Sequence, residues 1–483
     1  MHVVMLAAEA APFAKVGGLG DVLGALPPEL EKLGLTVSVI LPRYRTIDLE
    51  KFGFEPVLRL ETFPFDVHRS VLPGTGVSAF LIGNDTFFDR EGIYTDPATR
   101  RDYSDQADRW IFFQQSALEF VRFGFSKVDI LHCHDHQTAL IPAYLQRFYR
   151  GQSVMKRAGS VLTIHNMGYQ GVFPGSTIVR SGFDYADSYS MSPFEFHGSM
   201  NFMKAGIVFA DAVTTVSETY AREIQASGEF GYGLEGVLRA RVDTPLGILN
   251  GIDYEIWDPS TDPLLPAHYS ADRIEGKQAN KNAVLKEFGL DAGRRDRPLL
   301  AMISRIEEQK GFDLLVAVLD DLLLQDVSFV LLGNGSKEIE SELQSIVERH
   351  PGRAGLRLGF NNQLAHLIEG GADIFLMPSK YEPCGLNQMY SMRYGTVPVV
   401  RATGGLADTV PEFDPATGTG TGFRFEEYAP FDFKDAIGRA LDYWNEKPTW
   451  ARIVRNGMMA DFSWSRSALR YSEVYESVTQ RYR

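Results

Sequence analysis

Short apolar runs alternate with amphipathic stretches along this chain, and the alternation is completed twice. Residues 3–7 form the first run; a loop rich in Ala, Pro and Gly follows, then a helical stretch to about Lys32 and a second run at 37–41. That β-loop-α-β order opens a doubly wound α/β domain. Further strands are expected at 128–131, 160–164 and 212–216. The second half repeats the plan, with runs at 299–303, 328–332, 356–358, 374–377 and 397–400 and amphipathic helices at 312–324 and 336–348 between them. A polar, Pro-containing stretch at 258–266 lies near the change between halves, which the pattern places at about 245–250. The expectation is therefore α/β, with two Rossmann-like domains spanning 1–247 and 248–462. A last helical stretch, within 463–483, comes after the second sheet is complete and has to dock on something. Ligands bind such sheets outside the carboxyl ends of the strands. Two of them leave those ends free to face each other across a cleft, so chemistry is expected on post-strand loops in both halves.

The length of 483 residues suits two to three domains. No apolar run approaches the ~18 residues needed to span a bilayer, and the most hydrophobic candidate, within 314–324, is broken by Asp320-Asp321. The N-terminus lacks the basic start of a secretory signal, and Glu9 interrupts its apolar stretch. Two cysteines, Cys133 and Cys384, read as reduced thiols, which places the chain in the cytoplasm. The net charge of −14 argues against nucleic acid or an anionic membrane as partner. A phosphorylated ligand would need cations gathered locally.

The post-strand loops supply candidates. Lys15-Val16-Gly17-Gly18-Leu19-Gly20-Asp21 opens the first long helix; its glycines let backbone N–H groups approach an anion at a helix N-terminus, Lys15 adds charge, and Asp21 can accept sugar hydroxyls. The loop matches neither a Walker A nor a dinucleotide fingerprint. His132-Cys133-His134-Asp135-His136 offers metal-ligand residue types, but a polar loop at the cleft edge is the preferred reading. His165, after the strand at 160–164, suits either an acid–base or a loop-orienting role.

In the second half, Arg305 and Lys310 lie in one loop between a strand and a helix, where both can converge on a diphosphate whose charge develops as it leaves. Their alternative is surface pairing with Glu307 and Glu308. Glu382-Pro383-Cys384-Gly385-Leu386 enters another helix. Glu382 there is a nucleophile, a base, a hydroxyl anchor or simply a partner of the helix dipole. Thr403-Gly404-Gly405-Leu406-Ala407-Asp408 repeats the Gly-Gly-Leu-x-Asp pattern, so the two copies look like two walls of one site.

Taken in order, these motifs resemble the bacterial glycogen synthase and plant starch synthase family of retaining GT-B glycosyltransferases. The resemblance runs nearly end to end. It adds Lys204-Ala205-Gly206, the segment from Thr215 to Ile224, Tyr232-Gly233-Leu234-Glu235-Gly236 and Asn250-Gly251-Ile252-Asp253 to the loops above. It implies transfer of glucose from ADP-glucose, or UDP-glucose in some members, to the non-reducing 4-OH of an α-1,4-glucan, with no metal or other cofactor. By position, Lys15, Arg305 and Lys310 would meet the diphosphate, and Glu382 would anchor donor-sugar hydroxyls beside the N–H groups of Cys384, Gly385 and Leu386. His165 would stand next to the anomeric carbon, Gly18 and Asp21 would touch sugar or phosphate, and Phe360 would stack on the base. Asn250 and Asn387 complete the binding set. The N-terminal domain takes the acceptor side, the second domain the nucleotide sugar, and the C-terminal helix crosses back to the first. Four positions depart from the family: Val16 (commonly Thr), His136 (commonly Trp), Phe360 (often Tyr) and Asn387 (commonly Thr). A related transferase with another donor or a small acceptor is the alternative; a catalytically dead glucan-binding protein is the alternative of another class.

Overall fold

The computed structural model describes residues 1–60, 64–99 and 101–482; the final residue of the 463–483 segment lies outside them. The chain divides into two compact units, one of Met1–Gly251 with Trp464–Arg483 and one of Ile252–Ser463. No helix among the described residues is long and apolar enough to cross a membrane.

The first unit is built on a nine-stranded sheet. Its strands are β1 (His2–Leu6), β2 (Thr36–Pro42), β3 (Glu55–Leu60), β4 (Phe65–Val71), β5 (Ser78–Gly83), β6 (Ile130–His134), β7 (Gly159–Ile164), β8 (Ala212–Thr215) and β9 (Leu246–Gly247). They lie in the order β9-β8-β7-β6-β1-β2-β5-β4-β3. Strands at the centre are parallel and covered on both faces, so they read as unbroken apolar runs. At one edge β3–β4 and β4–β5 pair antiparallel. The sequence pattern does not single these strands out, and the reason is physical. β4 buries Phe65 and Val67 but interleaves them with Asp66 and His68 and carries the exposed Arg69, and β3 carries Pro56 and Arg59, so neither reads as an apolar run. A related correction concerns the strand expected at 128–131. It runs instead from Ile130 to His134, and His132 and His134 are fully buried within it.

Helix α1 (Gly18–Lys32) follows β1 after Gly17, whose extended backbone opens the helix without a side-chain cap. The chain's last helix, Trp464–Gln480, lies against α1 and β7 and so belongs to the first unit. Trp464, Ala468, Tyr471, Val474, Tyr475 and Val478 recur at helical spacing on its buried face. Gly159 opens β7 under that face, where a Cβ would lie 2.2 Å from Val478 Cγ1. Beyond the helix, the Tyr482 hydroxyl donates to Asp211 Oδ1 at 2.5 Å and Arg481 pairs with Asp243 at 2.7 Å.

The second unit holds β10 (Leu299–Ile303), β11 (Ser328–Gly333), β12 (Ala354–Leu358), β13 (Ile374–Met377), β14 (Val397–Arg401) and β15 (Phe423–Phe425), all parallel, in the order β12-β11-β10-β13-β14-β15. The chain winds outward from β10 in one direction, then returns to start again beside it at β13. That reversal leaves a crevice outside the carboxyl ends of β10 and β13. Helix α2 (Phe312–Leu324) buries Phe312, Leu315, Leu319 and Leu322 against the sheet and turns Asp320 and Asp321 away from it. The segment around 258–266 is anchored in this unit: Trp257 is stacked between His366 (3.8 Å) and Tyr390 (3.9 Å), and Asp262 accepts from Tyr394 at 2.7 Å. Where the chain enters and leaves the unit, Ile252 N–H donates to Phe462 O at 2.8 Å, so the two crossings run side by side.

Gly159→Val would drive a side chain into Val478. It is expected to lower stability by about 1–3 kcal/mol, the usual cost of overpacking, read as an earlier melting transition by calorimetry. An unchanged transition would show that the C-terminal helix is not held against β7.

Candidate functional site

In the second unit, glycines at the carboxyl end of the sheet let loops meet backbone to backbone. Gly311 closes the loop after β10 with φ +74°, and a Cβ there would lie 1.9 Å from the carbonyl of Pro378 in the loop after β13. Lys380 N–H donates to Gln309 O (2.8 Å), and the Gln309 amide to Tyr381 O (3.2 Å), sewing these loops together. Helices α3 (Asn387–Arg393) and α4 (Gly404–Thr409) follow β13 and β14. A Cβ on Gly404 or Gly405 would meet the carbonyls of Glu382 and Cys384 at 2.0 and 2.1 Å. The second Gly-Gly-Leu-x-Asp run therefore seats the Glu382 loop within its own unit.

Lys310 and Glu382 are brought together at 2.6 Å, and Ser379 Oγ donates to the same carboxylate oxygen at 3.1 Å. Glu382 is only 6% exposed. Removing either partner strands the other's charge in a half-dry environment. Arg305 shares the loop with Lys310 but turns to Glu307 at 3.0 Å, and Lys380 pairs with Glu308 at 2.8 Å. Cys384, Gly385 and Leu386 lead into α3; Gly385 has φ +71°, and the Gln388 amide donates to the carbonyls of Cys384 (3.0 Å) and Gly385 (3.1 Å). Asn387 spends its amide on Ile303 O, at the end of β10 (2.7 Å). Phe360, just past β12, is 90% exposed.

The first unit reverses its winding between β1 and β6, and the loops that follow β1, β6 and β7 carry its candidates. After β1, the buried Glu9 organises the glycine loop. Its carboxylate accepts from the N–H groups of Val16 (2.5 Å) and Gly17 (2.9 Å) and from the Tyr94 hydroxyl (2.5 Å). Glu9 and Tyr94 were not among the sequence candidates; the signal was an acid set inside an apolar run next to a glycine loop. Lys15 and Asp21 pair at 2.6 Å, both partly exposed, with Gly18 exposed between them. Asn250, after β9, is 7% exposed.

After β7, the backbone N–H of His165 donates to Asp135 Oδ1 at 2.7 Å, and the His165 ring Nε2 lies 3.0 Å from His134 Nδ1. His132 and His134 thus belong to a strand interior and not to a polar loop at a cleft edge. His136 does lie past the strand, its Nδ1 3.0 Å from Tyr169 O. Burial pushes His132 and His165 down to about 3 and His136 down to about 4, so these rings are neutral at pH 7. Among the described residues no three or more His, Cys, Asp or Glu side chains are grouped to hold a metal ion. Cys133 and Cys384 are both buried, and neither is in a disulfide.

Asp135 is the group here whose ionisation falls near neutral pH. Burial raises its carboxyl from 3.8 to about 7, opposed by the N–H groups of His165 and Asn166 and aided by the charge of Glu9. Between those values the unfolded chain is ionised while the folded one keeps its proton. The stability contribution is thus complete below the ordinary carboxyl value and lost as pH rises through about 7. The melting-temperature difference between the wild type and Asp135→Asn should shrink over that window and flatten above it. A difference that grows with pH would assign the ionised form to the folded state.

The chain is similar to known proteins over nearly its whole length. Residues 2–240 match the family model described as the starch synthase catalytic domain, and residues 291–457 match glycosyl transferases group 1. The glycogen synthase of Koribacter versatilis is 45% identical, covering 99% of both chains; that of Thermotoga maritima is also 45% identical, covering 99% of this chain and 98% of its own. The catalytic domain of starch synthase IV from Arabidopsis thaliana, solved bound to ADP and acarbose, superposes with a TM-score of 0.90 at 34% identity, over 99% of each chain. A sucrose-phosphate synthase from Thermosynechococcus elongatus shares the fold, with a TM-score of 0.61 at 16% identity. The two doubly wound units, with the last helix returned to the first, are those of a GT-B hexosyltransferase, and the chain belongs to the glycogen synthase and starch synthase family.

Proposed function

We propose that this chain transfers glucose from ADP-glucose to the non-reducing 4-OH of an α-1,4-glucan, with retention of configuration, in the cytoplasm. The observation that carries the reading is the Lys310–Glu382 pair at the reversal point of the second unit. There a cation for a leaving diphosphate and a carboxylate for sugar hydroxyls stand side by side. ADP in the starch synthase IV structure supports adenine as the base. In this reading residues 1–247 take the acceptor side and 248–462 the nucleotide sugar, and no metal or other cofactor is required.

The chemistry asks little of a protein nucleophile. The C1–O bond to the diphosphate breaks, the acceptor 4-OH attacks from the same face, and its proton passes to a phosphate oxygen. Charge therefore develops on the diphosphate, and Lys15, Arg305 and Lys310 are the groups assigned to it. Each is held by a carboxylate in the free protein, Asp21, Glu307 and Glu382 respectively, so the donor has to replace those partners. Glu382, with the N–H groups of Cys384, Gly385 and Leu386, holds the sugar hydroxyls; Gly18 and Asp21 also touch the donor. His165 stands beside the anomeric carbon. Phe360 offers an exposed ring for the base, while Asn250 and Asn387 orient polar groups of the substrate.

Lys15→Ala, Arg305→Ala, Lys310→Ala and Glu382→Ala are each expected to lower kcat by roughly 10²–10³, the size typical of a lost electrostatic group. Near-wild-type turnover in Lys310→Ala would remove the leaving-group assignment. Initial rates on a glycogen primer with ADP-glucose and UDP-glucose test the donor; faster transfer from UDP-glucose would overturn the adenine reading, and nucleotide-free glucan binding alone would overturn the enzyme.

A further inference from the structure

A cavity lies at the amino end of the second sheet, the end opposite Lys310 and Glu382. Its volume is about 600 Å³, within the ~300–1,000 Å³ of small-molecule sites. Asp373 and Gly395, just before β13 and β14, form its floor. One wall is the helix Gly276–Glu287, which presents Lys277, Gln278 and Lys281. The other is the helix Lys447–Met458, which presents Lys447, Trp450, Ala451, Val454 and Arg455 at helical spacing. Trp444 closes the cavity from the end of the preceding helix. All of these residues belong to the second unit.

The charges around the cavity are unevenly matched. Asp373 is taken: Lys281 Nζ pairs with its Oδ2 at 2.6 Å, and the N–H of Leu299 donates to the same oxygen at 2.8 Å. Lys281 also donates to Arg297 O at 2.6 Å, which leaves one of its ammonium hydrogens over. Lys277 spends its hydrogens on acceptors that include Tyr394 O (2.9 Å) and Thr396 Oγ1 (2.8 Å), and burial pushes it down to about 7, so it adds little charge. Glu275 stands at the N-terminus of its helix, where the dipole suits a carboxylate. Arg295 and Arg455 are in exposed pairs, with Asp296 at 3.4 Å and Asp272 at 2.6 Å, that exchange at little cost. Lys447 is different. Its Nζ lies 3.1 Å from the centroid of the Trp444 ring and, among the described residues, pairs with no carboxylate. Partial burial holds this ammonium below its ordinary value, and Asp373 and Asp296, set against the charge of Lys281, do not restore it. Lys281 Nζ stands over the same indole, 5.7 Å from its centroid. Two ammonium groups thus share one ring, and only one of them has a carboxylate.

We propose that this cavity is a second ligand site that takes a small phosphate monoester, its phosphate held by Lys447 and Lys281 and its organic body laid against Trp450, Ala451 and Val454. A phosphate monoester carries a charge of about −2 near neutral pH, which answers both ammonium groups where a carboxylate would answer one. Lys447 exchanges the face of an indole for a charge-assisted hydrogen bond, the stronger partner. The wall beside the two cations is apolar, a covering that an ester can use and free phosphate cannot. The inference is independent of the donor reading, because the loops of Lys310 and Glu382 leave the opposite ends of β10 and β13.

The test is isothermal titration calorimetry of the full-length protein, alone and saturated with ADP, with phenyl phosphate, inorganic phosphate and phenol as probes. Phenyl phosphate is expected to bind at one site per chain, with or without ADP and more tightly than inorganic phosphate, while phenol gives no heat. Lys447→Ala should weaken phenyl phosphate by roughly ten- to a hundredfold, the loss of a hydrogen bond to a charged group, and Lys447→Arg should retain it. Ala451→Trp, which fills the cavity from an exposed helix position, should abolish binding. Phenyl phosphate that binds only in the absence of ADP sits in the donor loops, and that result overturns the proposal. So does wild-type affinity in Lys447→Ala or in Ala451→Trp, or no binding to the wild type at all. Equal affinity for inorganic phosphate removes the role of the organic body and overturns the monoester.

Discussion

Backbone meeting backbone at the carboxyl end of the second sheet is the constraint on which the candidate site of the second unit depends. Gly311 against Pro378, Gly335 against Ile306, Gly404 against Glu382 and Gly405 against Cys384 are all approaches that a Cβ would block at about 2 Å. Because these loops are locked to one another, the side chains they carry are held by the fold and not by their own rotamers. Lys310 and Glu382 come from loops after different strands, yet their separation is set by Gly311 and Pro378 a residue or a few away. Glycine contributes here by letting two strand ends share one space, not by flexibility.

That rigidity bears on a chain with a net charge of −14. Cations meant for a diphosphate would be neutralised at random in such a field unless their partners were assigned. The structure assigns them locally: Lys15 to Asp21, Arg305 to Glu307, Lys310 to Glu382. The first two pairs are exposed and cheap to exchange. The third is nearly enclosed, so opening it exposes a charge that only a ligand of opposite sign can satisfy.

Much of the frame was legible because parallel strands covered on both faces write themselves as apolar runs, as at 299–303 and 374–377, and because helices such as 312–324 show their buried face in their spacing. What escaped had a common cause. The antiparallel edge of β3 and β4 carries polar side chains that break the apolar-run pattern, and the two buried histidines of β6 read as polar loop. Burial of a histidine is decided by partners far along the chain, Thr163 and Tyr475, which no local window contains. The same holds at the site. Single post-strand motifs single out Lys15, His165, Lys310 and Glu382 as candidates, while the groups around them, Glu9, Ser379 and His134, are recognisable only once the chain is folded.

Those hidden partners share a logic. Transfer from a sugar diphosphate develops positive charge at the anomeric carbon and negative charge on the leaving group within a few ångströms. A cation placed near the sugar would oppose the first, and a free carboxylate near the phosphates would oppose the second. The second unit keeps its acid, Glu382, satisfied by Lys310 and Ser379. The first keeps His165 uncharged by burying it against other neutral rings, and binds its backbone N–H to Asp135. A neutral imidazole can still donate a hydrogen bond, provided the hydrogen sits on the correct nitrogen. Burying His165 against two other neutral histidines thus keeps a polar group at the end of β7 without adding charge.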